Sequence, residues 1–200
     1  MVPLQLFRAR PVAIPMSVGF SFAVGFYGLV FLFSLYLQEL RGLSPLTTGL
    51  SFVPMTAFGA VLTLITPRIG ARFGPRVPIA IGQTLMAVGL ASLVVAIGVQ
   101  APVLLLVSLT IPVGAGSALT IPTITALLLG SVPVERAGTA SVLNTSRQLG
   151  GAIAVAVFGA FVAQRETFVS GMQVSLTVGA ALLLATMVAS LRLRPKIAHA

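Results

Sequence analysis

SVLNTSRQLGGAIAVAVFGAF, residues 141–161, reads as one long apolar helix with Arg147 inside it. A guanidinium keeps its charge at any pH a protein meets, and no acidic residue lies within ten positions of Arg147. What that charge does depends on the solvent of the helix, and composition decides the solvent. Of 200 residues, 57% are hydrophobic and only 8% are charged, and the mean hydropathy is +1.09. A soluble domain carries about 25% charged residues. Most of this surface therefore faces lipid.

A membrane-crossing helix needs about 20 mostly apolar residues. Six runs qualify: 12–37, 46–66, 77–98, 102–129, 138–163 and 171–192. Helix is the expected state of each, because an open sheet in lipid leaves backbone groups unpaired and the runs lack the period-two alternation of a barrel. The expectation is an all-α membrane protein, one bundle of six transmembrane helices over residues 1–200. The first run is too long for a signal peptide and no small-residue cleavage site ends it, so it reads as a retained helix. Ser44 and Pro45 supply an N-cap and a first helical residue. RFGPR (72–76) reads as a tight turn, and Pro112 and Pro122 should kink the fourth run.

Twelve Lys and Arg against three acidic residues give a net charge of +9. These charges sit in short gaps between apolar runs, which argues for membrane topology and against a nucleic-acid partner. With the N-terminus in the cytoplasm, Arg8, Arg10, Arg68, Arg72, Arg76, Arg136, Arg192, Arg194 and Lys196 fall on the cytoplasmic side. Only Arg41 and Arg165 fall opposite, so both termini are expected inside. Tyr36 is placed to anchor the outer interface. There is no cysteine, one histidine (His199) and three scattered glutamates, Glu39, Glu135 and Glu166. No metal site, cofactor site or catalytic residue set is expected from them, and an enzyme is set aside.

Several features carry two readings each. Arg147 lies about 14 Å along its helix, between the cytoplasmic interface and the midplane. It either snorkels to the headgroups or faces a polar seam. Asn144, Arg147 and Gln148 share one face at i, i+3 and i+4, extended by Ser141, which suits a seam. Small residues at four-residue steps (Ser146–Gly150–Ala154 and Ala152–Ala156–Ala160) serve packing within the chain or a joint with a second unit. PRIGARFGPR (67–76) is plain topology, or a gating loop in which Arg68, Arg72 and Arg76 around Gly74 engage helix ends in one conformation only. Phe22, Phe26, Phe33 and Tyr36 form a stripe for packing, or for a cavity taking bulky apolar or cationic compounds. PVGAGSALTIP (112–122), bounded by Pro112 and Pro122, marks a bent helix of the kind found at transport sites or a packing device.

In combination these residues resemble the major facilitator superfamily, and more narrowly the C-terminal six-helix half of a fourteen-helix drug:proton antiporter. FYGLVFLFSLYLQELRGLSPLTTGLSFVPM (26–55) is similar to the helix–loop–helix that opens that half. PVERAGTASVLNTSRQLGGAIAVAVFGA (133–160) is similar to its penultimate helix, and 67–76 to the second copy of the signature loop, with Ala71 where an Asp is usual. The resemblance implies a 3+3 inverted repeat in a bacterial inner (plasma) membrane, an origin that the near-absence of Lys also favours. It implies export of hydrophobic or cationic small molecules by proton antiport, along a path between this bundle and a second six- or eight-helix bundle. It also implies that the first and fourth helices line the path and the second and fifth lie at the seam. The proton-carrying carboxylates belong to the other bundle, and Met1 falls where the family's second bundle begins. The alternative is a truncated, transport-inactive remnant or a membrane interaction subunit.

Overall fold

The computed structural model describes residues 10–131 and 138–191, and among these every regular element is a helix. Helix α1 (Arg10–Leu35) runs on into a π-helical turn (Tyr36–Leu40). Helices α2 (Pro45–Ser51) and α3 (Val53–Phe73) follow one another with a break at Phe52. Then come α4 (Arg76–Gly98), α5 (Val103–Ser131), α6 (Gly138–Phe161) and α7 (Phe168–Ser190). Among the described residues five stretches have the length and apolarity to cross a bilayer: Ala13–Leu40, Pro45–Phe73, Arg76–Gly98, Val103–Leu129 and Arg165–Ser190. Helix α6 is not among them; Asn144, Arg147 and Gln148 make it more polar than its neighbours. Of the charges counted for topology, Arg8, Arg136, Arg192, Arg194 and Lys196 lie outside the described residues, as do the side chains of Arg10 and Ser141.

Local chemistry sets the helix ends. Ser44 caps α2, its Oγ accepting from the Thr47 N–H at 3.2 Å, with Pro45 as the first helical residue. The second apolar helix was expected to stop at residue 66, yet α3 continues through Pro67 to Phe73. Gly74 is the actual stop: its φ of +77° is a backbone conformation that side chains disfavour. The segment 67–76 is thus the last turns of a helix, a Gly74–Pro75 turn and the start of α4, and not an extended loop.

Helix α5 stays continuous through Pro112 and Pro122. A proline at position 122 cannot donate to the carbonyl four residues back, which frees Ala118. The Thr66 hydroxyl of α3 donates to that carbonyl at 3.0 Å. Gly114 and Gly116 lie about 200° apart around α5. A Cβ added at Gly114 would strike the Met55 carbonyl of α3 and one at Gly116 the Gly82 carbonyl of α4. The glycine-rich run therefore lets α5 pack backbone to backbone on both sides. Helix α6 lies on α1, where a Cβ at Gly150 would come within 2.7 Å of the Phe20 carbonyl oxygen.

Helix α1 also packs on α7 and α5, and α4 on α7. A buried polar knot joins three of them. Gln83 Nε2 of α4 donates to Thr186 Oγ1 of α7 at 2.6 Å and to Ser21 Oγ of α1 at 3.3 Å, and the two hydroxyls are 2.7 Å apart. The opposite face of α3 carries exposed Phe58, Val61 and Leu64, as expected of a surface in contact with a bilayer.

Two substitutions test this packing. Gly116→Ala should lower the thermal midpoint of the detergent-solubilised chain, read by circular dichroism, by the equivalent of about 1–3 kcal/mol. Gly70→Ala, which meets no atom within 4 Å, should leave the midpoint unchanged or raise it slightly. Thr66→Val should cost about 1 kcal/mol; in a Pro122→Ala background, where a backbone N–H serves Ala118 again, the same change should cost much less.

Candidate functional site

The polar stripe of α6 opens onto a groove. Asn144, Arg147 and Gln148 line it together with Gly151, Ala152, Val155 and Ala156 of α6 and Tyr27 of α1, around a volume of about 620 Å³. Asn144 and Gln148 are exposed and Arg147 is half-buried. The Arg147 guanidinium carbon lies 5.4 Å from the centre of the Phe22 ring, a cation–π contact from α1. Its Nε is buried and has no hydrogen-bond partner among the described residues. Glu39 and Glu166 are exposed at helix ends, and neither pairs with it. A second, smaller pocket of about 170 Å³ between α5 and α6 is lined by Thr125, Asn144 and Arg147 among others. Arg147 thus stands between two openings.

The aromatic stripe of α1 divides. Phe22 and Phe26 stack at 5.4 Å, and Phe26 meets Tyr27 edge-on at 5.6 Å, so this end leads from Arg147 to the groove wall. Phe33 is fully buried and packs edge-on against Phe52 at 5.8 Å. Tyr36 is buried as well, so it is not the interface anchor its position implied. Its hydroxyl accepts from Arg41 Nε at 2.9 Å, and Arg41 also donates to the Ala101 carbonyl at 2.5 Å, tying the end of α1 to the α4–α5 connection. Tyr27, 40% exposed, lines the groove and was not singled out in the sequence. The available signal was its spacing: a tyrosine one residue from Phe26 points off the buried stripe.

Pro112 and Pro122 do not meet the groove. Pro112 packs at the α4 contact, 3.4 Å from a Cβ placed on Gly89. Pro122 lines a separate pocket of about 350 Å³ with Thr66, Pro67, Gly70, Ala71 and Pro75, at the end of the molecule where α3 turns into α4. At that turn Arg72 lies over the Phe73 ring at 5.4 Å and Arg76 Nε is buried without a partner among the described residues, while Arg68 is exposed. Among the described residues no group of three or more acidic, His or Cys side chains is placed to hold a metal.

A chain with five helices long and apolar enough to cross a bilayer among its described residues has the build of a multi-pass membrane protein, and comparison with known proteins gives its family. Residues 1–155 match the Major Facilitator Superfamily, so the chain belongs to that family of membrane transporters. It is 34% identical over 164 residues to the multidrug resistance protein Stp of Mycobacterium tuberculosis, covering 82% of this chain and 30% of Stp. It is 33% identical over 186 residues to the methylenomycin A resistance protein of Streptomyces coelicolor, covering 92% of this chain and 39% of that protein. It is 35% identical over 167 residues to the drug efflux pump JefA of M. tuberculosis, covering 82% of this chain and 32% of JefA. The chain therefore spans about a third of the length of these relatives.

A buried donor without an acceptor costs about 1–3 kcal/mol. Arg147→Met, which keeps the length of the stem and removes the charge, should therefore raise the thermal midpoint of the isolated chain. A fall in the midpoint would mean that Arg147 is held for structure.

Proposed function

We propose that the chain is one half of a drug efflux transporter, exporting hydrophobic or cationic compounds in exchange for protons. The observation that carries this reading is family membership combined with relatives named as multidrug resistance and efflux proteins. In this reading α6 crosses the bilayer with the five more apolar stretches, giving six spans with both termini in the cytoplasm of a bacterial inner membrane. The packing supports a 3+3 inverted repeat that pairs α1, α3 and α4 with α5, α6 and α7. The contact of α1 with α6 corresponds to that of α5 with α3, and the contact of α4 with α5 to that of α7 with α1.

A second six- or eight-helix bundle, from outside these 200 residues, faces the groove and supplies the proton-carrying carboxylates. Asn144, Arg147 and Gln148 form the polar seam, and Phe22 and Phe26 lie beside it. Phe33, Tyr36, Pro112 and Pro122 belong to the path only in a conformation that opens the core. Arg68, Arg72 and Arg76 around Gly74 act as the cytoplasmic gate. A second reading, a transport-inactive remnant or membrane interaction subunit, is favoured by one observation: no acidic side chain within the described helices faces the groove.

The test is dye efflux from proteoliposomes under an imposed proton gradient, with the chain alone and with a second bundle carrying an intramembrane Asp or Glu. Efflux should need both bundles and the gradient, and Arg147→Ala should slow it by roughly tenfold or more. No efflux in any combination would leave the interaction-subunit reading in its place.

A further inference from the structure

Resting on the transporter reading, but for a ligand distinct from its hydrophobic or cationic substrates, we infer that the α1–α6 groove binds amphiphilic carboxylates, small molecules with one anionic head and an apolar body. Residues 144, 147 and 148 are followed on the same face of α6 by 151, 152, 155 and 156. The first three are two amides and a cation, and the last four are glycine, alanine or valine. The groove therefore has a polar end and an apolar run of about 14 Å from Arg147 to Ala156. Its volume of about 620 Å³ falls in the range of roughly 300–1,000 Å³ used for small-molecule ligands.

Charge selects the head. Arg147 presents a planar fork of donors that suits a carboxylate. One face of that fork rests on the Phe22 ring, and its Nε–H is buried and unpaired. The exposed amides of Asn144 and Gln148 flank it as further donors. A cation entering alone meets an unpaired like charge; an anion completes the site.

A carboxylate side chain from a facing helix is the other source of the same chemistry. It would fill only the polar end. The apolar floor is also not the bare small-residue surface that close helix approach uses, because the Tyr27 ring stands over Gly151, where a Cβ would lie 2.9 Å from Cδ2.

The experiment uses a twelve-carbon carboxylate carrying a photoactivatable diazirine, added to the full chain in zwitterionic nanodiscs, with crosslinks mapped by mass spectrometry. Labelling is expected at Tyr27 and within residues 151–156. Dodecanoate should compete at roughly tenfold lower concentration than dodecanamide or dodecylamine. Arg147→Met should reduce labelling by a similar factor and Arg147→Lys by less, with circular dichroism confirming the fold; Gln148→Leu, which keeps the cation, should weaken it only partly. Equal competition by acid, amide and amine would overturn the inference, as would unchanged labelling in Arg147→Met. So would labelling that a co-assembled second bundle abolishes and an Asp→Asn or Glu→Gln change in that bundle restores, because Arg147 would then be the counter-ion of a protein carboxylate. Dye efflux on the same preparations reports separately on the transporter reading, so binding can fail while export stands.

Discussion

In hydrocarbon no water waits to be released when two helices meet, so backbone proximity and polar contacts must hold them together. The structure depends on this most visibly at α5. Gly114 and Gly116 turn opposite sides of the helix into surfaces without side chains, and α3 and α4 close on them at backbone distance. Helix α4 then carries Gln83 to the hydroxyls of Ser21 and Thr186, which brings in α1 and α7. Helix α1 in turn receives α6 at Gly150. The groove at Arg147 is the last product of that chain of contacts, since its two walls are α1 and α6.

Patterns governed by one residue's own chemistry were legible in the sequence. The start of α2 follows from a serine before a proline. The common face of Asn144, Arg147 and Gln148 follows from helix geometry alone, and the three do line one groove. What was not legible depended on partners. Pro67 looks like a helix end, but α3 passes through it and stops only at Gly74, where the backbone itself changes sign. Phe22, Phe33 and Tyr36 of the stripe are all buried in one core, with contacts to Arg147, Phe52 and Arg41 that lie outside the stripe and that its spacing does not record. The run PVGAGSALTIP carried two readings, a bent transport element or a packing device; its glycines meet two helices at once, which no one-dimensional period records.

Arg147 differs from Arg41; like Arg76, it keeps a buried Nε without a hydrogen-bond partner among the described residues. Arg41 is spent on structure, with both its aromatic and its carbonyl partners supplied by the chain. Arg147 receives a ring beneath it and no acceptor for its buried Nε among the described residues. A half-buried guanidinium with one donor idle is a poor stabiliser and a good receptor. The fold supplies the packing that holds it there and leaves its hydrogen bonding to something else.

The bond from Thr66 to Ala118 has a consequence for both helices. Where Pro122 removes a backbone N–H, the ladder of α5 is completed by a side chain from a neighbouring helix. A backbone donor is fixed in direction by its helix, whereas a hydroxyl swings about χ1 and its own C–O bond. Thr66 also donates to Leu62 in its own helix, so its hydrogen has a second acceptor within reach. The hydroxyl lies 3.0 Å from both carbonyls, so one hydrogen is shared between the ladder of α3 and the gap that Pro122 leaves in α5.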